Sequence, residues 1–247
     1  MIKLRRAEKE RALIVGHRGA MGHAPENTMA SFERGLALGA DLIELDVHLS
    51  ADGHLVVIHD PTVDRTTDGR GYVKDMTLAQ LKELDAGSWY GPEFAGQRIP
   101  TLPEVLEWAR GRVGLVVEIK NGPVFYPGIE ERVAEALEAY GMEDEVVVIS
   151  FDHRCVRRVK ELRPGIAAGI LYVGRLADPV AVARAAMADA LHPNANYLTA
   201  EDVREAHRAG LAVSTWVVND PSWAQELAGM GVDSIGTNYP DRLRSVC

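Results

Sequence analysis

Only two of the 247 residues are cysteine, Cys155 and Cys247. Two such distant thiols build no disulfide framework and match no thiolate metal motif, so both are expected free, in a reducing compartment. Long apolar runs are also missing. No stretch approaches the roughly 20 residues needed to span a bilayer. The charged start of the chain has no apolar segment before Ala12, unlike an ordinary signal peptide. A cytoplasmic protein with no stable membrane insertion is therefore expected. Positive charge is in deficit, 27 Lys and Arg against 36 Asp and Glu, for a formal net charge of −9. That weighs against a nucleic-acid partner or an anionic membrane surface, yet leaves room for a locally basic pocket holding one phosphate. No internal repeat or low-complexity segment is present, and the sequence alone leaves the oligomeric state unknown.

What the chain does have is a rhythm. Short apolar runs at 13–17, 42–47, 115–119, 146–151, 166–172, 190–192, 212–217 and 234–237 alternate with helical patterns. Such alternation marks βα units on a parallel sheet, and eight of them in this length predict a (β/α)8 TIM barrel. Helix starts are signalled by Asp178-Pro179, by Asp220-Pro221, by Thr199 with Asp202, and by Asp152. Gly39, Gly141, Gly210 and Gly231 follow helical stretches as stop signals.

The second strand breaks the rhythm. Asp52-Gly53 lies between apolar runs, a hairpin signal. The strand is expected to turn back there and bring His59 and Asp60 toward its own end. Residues 61–100 then read as irregular and glycine-rich. We expect a single barrel domain over 1–247 carrying a small insertion after strand 2, at about 50–100. A connection this long is unusual unless functional, and it lies on the side where barrels keep their chemistry.

Glu44 and Asp46 are two apart on the second strand and so share a face. Paired inward carboxylates repel and resist desolvation unless something positive lies between them. A hard divalent cation resolves this, whereas zinc sites usually recruit His or Cys. Glu118 and Lys120 repeat the spacing on the next strand. Glu118 is a candidate third oxygen ligand, and Lys120 a candidate to hold an anion beside the metal. A solvated strand end, or a buried ion pair with Lys120, would also account for such pairs. At the end of the first strand, His17 and Arg18 combine a proton-transfer group with a guanidinium fork suited to phosphate. His59 supplies a second imidazole, and two histidines not spent on metal serve as base and acid. Asn27 or Thr28 caps the first helix, and Asn27 could also reach the site. Trp216 either walls the substrate pocket or packs outward against helices. Phe151 and Tyr239 hold similar strand-end positions.

Together these residues resemble the glycerophosphodiester phosphodiesterase family. The carriers are His17 to Gly19, Pro25 to Thr28, Glu44 and Asp46, the Asp52-Gly53 turn, Val57 to Asp60 with Thr62, Asp64 to Thr66, Glu118 to Lys120, and Thr215-Trp216. The resemblance spans His17 to Asp241. It implies a phospholipase-C-like barrel that binds one divalent cation, Mg²⁺ or Ca²⁺, through Glu44, Asp46 and Glu118. His17 and His59 would be the general base and acid, with Arg18 and Lys120 on the phosphate. The implied reaction is hydrolysis of a small-molecule glycerophosphodiester to glycerol 3-phosphate and an alcohol. One departure stands out. The family more often has Asp where this chain has Asn238, a change expected to bear on substrate contacts and to leave the catalytic set complete.

Overall fold

A computed structural model describes residues 4–7 and 10–245; Cys247 lies outside them. Eight parallel strands close on themselves: β1 (Leu13–Gly16), β2 (Leu42–Leu49), β4 (Gly114–Ile119), β5 (Val146–Ser150), β6 (Ala167–Tyr172), β7 (Ala190–Pro193), β8 (Ala212–Thr215) and β9 (Ser234–Thr237). β1 pairs with both β2 and β9, which makes the barrel. Every strand expected from the sequence is present, with ends shifted by one or two residues. His17, Phe151 and Trp216 lie just past their strands, on the C-terminal rim.

Period-two alternation sorts the side chains. On β2, Ile43, Leu45 and Val47 point outward into the main apolar core with Phe32 and Leu106. Leu42 points inward with Val15, Val116 and Val147, and Glu44 and Asp46 follow it on that inner face. Each fully buried Ile, Leu or Val of the outer layer contributes about 1.5–3 kcal/mol. That layer carries the fold and offsets a costly polar inner stripe at the mouth.

Capping fixes where the helices begin. Thr28 caps α1 (Met29–Ala37), accepting from the Ser31 amide at 3.2 Å. Asp152 caps α5 (His153–Leu162), Asp178 caps α6 (Pro179–Ala185) and Asp220 caps α8 (Pro221–Met230). Thr199 and Asp202 form a capping box on α7 (Ala200–Arg208). Gly141 closes α4 (Ile129–Tyr140) at φ 64°, a left-handed conformation that favours glycine. Cys155 is buried within α5, its thiol 2.9 Å from Glu130 Oε1. No helix among the described residues is long and apolar enough to cross a membrane.

Beyond Asp52-Gly53 the chain does turn back. β3 (Leu55–Val57) pairs antiparallel with the end of β2, Val47 opposite Val57. The following stretch is more regular than its composition suggests. It holds α2 (Leu78–Glu83), capped reciprocally by Thr77 and Gln80, and 3₁₀ turns at Val73–Asp75 and Pro92–Phe94. These close over an apolar cluster of Val56, Ile58, Val63, Val73, Leu81 and Ile99. A helix of six residues is too short for its periodicity to stand out from sequence. α3 (Leu102–Ala109) then leads back into the barrel.

Candidate active site at the barrel mouth

Parallel pairing sets Asp46 beside Glu118 across β2 and β4, with Glu44 one inward step below Asp46. Carboxylate oxygens of Glu44, Asp46 and Glu118 all lie within 4.8 Å of one another, and all three residues are buried. Lys120 Nζ stands 2.6 Å from Glu118 Oε1 and 3.0 Å from Asp46 Oδ1. The second contact is an ion pair without hydrogen-bond alignment, so Asp46 Oδ1 remains a buried oxygen with no hydrogen bond. Three converging carboxylates with an unsatisfied oxygen fit a hard divalent cation, which asks for oxygen donors only.

Burial pushes the Glu44 carboxyl well above the usual range, and the Asp46 and Glu118 charges add to it. Burial also pushes Glu118 upward, with Lys120 opposing. Asp46 goes the other way. Burial would raise it, but Lys120, Arg18 and His59 together hold it low. Lys120 is raised in turn: its desolvation is outweighed by Asp46 and Glu118.

Arg18 sits at φ 51° just past β1. That turn sends its amide to Glu44 Oε2 at 2.7 Å and its guanidinium to Glu26 Oε1 at 2.7 Å, with Nε 3.4 Å from Asp46. Asn27 also reaches the site. Its Nδ2 donates to Asp46 Oδ2 at 2.8 Å, and the capping role falls to Thr28.

The two histidines differ in their partners. His17 Nδ1 lies 2.8 Å from Asn238 Oδ1. An amide oxygen only accepts, so Nδ1 carries the proton and Nε2 keeps its lone pair. Burial foremost, then Arg18, lowers the His17 imidazole to about 4. His59 instead sets Nδ1 2.7 Å from the Asp60 carboxylate. Its pKa is lowered by burial, against the pull of Asp46 and Asp60. His48 supports this segment from below, contacting the His59 carbonyl at 3.0 Å and the Tyr126 hydroxyl at 2.9 Å.

A cavity of about 140 Å³ gathers His17, Arg18, Glu44, His59, Glu118 and Lys120 on one side, and Phe151, Leu171, His192 and Trp216 on the other. Trp216 thus faces inward, its indole N–H donating to the His192 carbonyl at 2.9 Å and its ring edge-on to Phe151. A wider cleft of about 500 Å³ adjoins it, sharing Glu118, Lys120 and Phe151 and extending to Phe125 and Arg154. Tyr239 is turned away, packed on His23 and Arg242.

Sequence reasoning gave Glu26 and Arg65 no role in this site, and set Asn238 against the substrate rather than against a histidine. Asn238 touches His17, so the departure noted there bears on an imidazole before it bears on any substrate. Glu26 and Arg65 extend the site outward: Arg65 binds Glu26 and Asp60 together, linking the support of Arg18 to that of His59. Arg65 was visible only within the Asp64 to Thr66 segment, and Glu26 only within the Pro25 to Thr28 segment that opens the first helix.

Residues 17–242 match the glycerophosphoryl diester phosphodiesterase family. A glycerophosphodiester phosphodiesterase of Caldanaerobacter subterraneus subsp. tengcongensis is 45% identical over 94% of this chain and 96% of its own length. One from Bacillus altitudinis is 40% identical over 93% and 95%. Among solved structures, an Oleispira antarctica phosphodiesterase in complex with its product sn-glycerol-3-phosphate superposes with a TM-score of 0.86, at 32% identity and 96% coverage of both chains. A glycerophosphodiester phosphodiesterase from Agrobacterium tumefaciens gives 0.84, at 34% identity, covering 95% of this chain and all of the other.

Proposed function

Since the chain belongs to the glycerophosphoryl diester phosphodiesterase family, we propose that it hydrolyses small glycerophosphodiesters to glycerol 3-phosphate and an alcohol, using a divalent cation and two histidines. The observation that carries this reading is one cavity lined by His17, His59, Arg18, Lys120, Glu44 and Glu118, with the buried Asp46 carboxylate completing the trio within 4.8 Å of the other two.

Glu44, Asp46 and Glu118 would hold the cation, with Mg²⁺ or Ca²⁺ the ions suited to an all-oxygen set. When bound, it supplies positive charge against the phosphate and the negative charge that develops on it. Arg18 and Lys120 bind the non-bridging oxygens and weaken the repulsion that a diester anion presents to any nucleophile. His17 is the better base. Its Nε2 lone pair is free, and its neutral Asn238 partner does not hold a second proton on the ring. It accepts the proton of the attacking oxygen, either a water, which gives glycerol 3-phosphate directly, or the glycerol hydroxyl next to the ester, which gives a cyclic phosphate that a water then opens to glycerol 3-phosphate. His59 is the better acid, because the Asp60 carboxylate stabilises its imidazolium. It gives that proton to the departing alcohol oxygen. The alcohol then leaves toward the wider cleft beside Phe125 and Phe151.

The test is release of glycerol 3-phosphate from glycerophosphocholine and glycerophosphoethanolamine with Mg²⁺, with Ca²⁺ and with EDTA. Release with a cation that EDTA abolishes is expected. Undiminished release after exhaustive chelation would remove the cation from the scheme, and no release with any ion would remove the reaction.

A further inference from the structure

The deep half of the cavity is apolar, walled by Val15, Val116, Ile149 and Leu171. Its few polar side chains are mostly committed. The Thr215 hydroxyl donates to the Pro193 carbonyl at 2.9 Å, the Trp216 N–H to the His192 carbonyl, and Ser214 shares a 2.6 Å hydrogen bond with Ser234. His192 is the exception. It lies opposite Leu171 on β6, is 5% exposed, and its Nε2 is buried without any hydrogen-bond partner. Burial lowers its pKa to about 4, so the ring is neutral and offers one donor and one acceptor.

The fold has made room for this ring. A Cβ on Gly169, the residue beneath it on β6, would stand 2.4 Å from His192 Cδ2 and 2.5 Å from Nε2. Contacts that short are not sustained, so any side chain at 169 would evict the imidazole. A buried nitrogen left unsatisfied is destabilising, and most such groups have a partner that is protein, water or ligand.

We infer that His192 binds the far hydroxyl of the glycerol, the one remote from the phosphate, and so makes the enzyme specific for glycerol on the inner side of the diester. This rests on the reaction proposed above. With the phosphate held at the mouth by Arg18 and Lys120, a glycerol directed inward brings its far hydroxyl to the cavity floor. There the imidazole is the polar side chain without a partner: its Nε2 is sealed against Gly169, and Nδ1, which bonds to no described residue, is the nitrogen left to meet the hydroxyl. The rival occupant is a single water in the small void of about 20 Å³ beneath His192, lined also by Ser214 and Ser234, which has room for one.

A substrate cycle separates the two. The wild-type enzyme, His192→Leu and His192→Gln are assayed for kcat/KM on glycerophosphoethanolamine and on the same diester lacking the far hydroxyl, a propane-1,2-diol phosphodiester. The wild type should prefer the glycerol diester by about tenfold, the size of one buried hydrogen bond. In His192→Leu the preference should vanish, the loss falling on the glycerol diester alone, and His192→Gln should restore part of it. Competitive inhibition of the wild type by glycerol 3-phosphate and by its 1-deoxy analogue reads the same contact in ground-state binding without a variant, and should favour glycerol 3-phosphate. A wild type that treats both diesters alike, or a His192→Leu enzyme that keeps the preference, overturns the assignment and leaves the ring to the water below. Absence of turnover on glycerophosphoethanolamine in the wild type overturns the reaction and this inference together; turnover without preference overturns this inference alone.

Discussion

Arg65 grips the buried Glu26 carboxylate with both arms of its guanidinium, Nη1 and Nη2 each 2.8 Å from an oxygen. Its Nε also reaches Asp60 at 2.7 Å. One side chain from the loop after β3 thus braces Arg18, through Glu26, and His59, through Asp60. The hydrogen bonds from Arg65 are the largest influence holding the Asp60 carboxyl down to about 2, which keeps it charged against His59.

Arg65→Ala should therefore lower kcat by about a hundredfold, the effect of small misplacement of reacting groups, with a much smaller change in KM. Glu26 keeps its bond to Arg18 but loses two charge-assisted hydrogen bonds in a buried position, so thermal stability should fall as well. Arg65→Lys should recover only a minor part, because an ammonium cannot span two carboxylates as a planar fork does. Steady-state kinetics with a melting curve check this. A Lys variant as active as wild type would mean that charge alone matters there.

His17→Ala and His59→Ala should each lose about 10²–10⁴-fold in kcat, the usual contribution of a positioned acid or base, with unchanged circular dichroism. Product assays and spectra on the same preparations check both. Near-normal turnover in either variant would end the two-histidine scheme.

Much of this was legible in the residues. Each βα unit repeats a local signal, so the barrel emerged from alternation alone. The pairs Glu44/Asp46 and Glu118/Lys120 announced themselves because a strand places residues two apart on one face. The contacts that escaped cross the sequence. Asn238 meets His17 only because β9 closes the barrel against β1, 221 residues away. Arg65 meets Glu26 only because the β3 hairpin folds the following loop back over the mouth. His192 stands out in the sequence only by ending its strand, since neither the missing partner nor the hollow over Gly169 is written in its neighbours.

Asn238→Asp should move the acid limb of the pH–rate profile upward. With a neutral amide beside it, His17 stays unprotonated down to about 4, so loss of the base falls at low pH. A carboxylate at 238 favours the imidazolium and raises that pKa. The base is then protonated, and activity lost, at higher pH than in wild type. Profiles of kcat/KM at saturating cation check the shift. Coincident acid limbs would mean that His17 does not set that limb.

The carboxylate trio predicts opposite effects of one substitution on stability and on cation response. Folding raises the Glu44 carboxyl well above its ordinary value, first through burial and then through Asp46 and Glu118. A carboxyl raised on folding weakens the fold as pH climbs from its unfolded pKa through its folded one, because the unfolded chain ionises more readily. Without cation, the wild type should therefore lose stability across that window, and Glu44→Gln, which has nothing to ionise at 44, should lose less. Adding Mg²⁺ or Ca²⁺ at a hundred times its Kd should stabilise the wild type by about 2.7 kcal/mol, since the ion supplies the charge that the trio lacks. Glu44→Gln should respond far less at the same concentration. Melting curves in EDTA and in each ion, from pH 5 to 8, give both quantities. A Glu44→Gln protein that melts below wild type in EDTA throughout that range, yet responds fully to the ion, would show that Glu44 contributes packing and hydrogen bonding to Arg18 rather than a ligand.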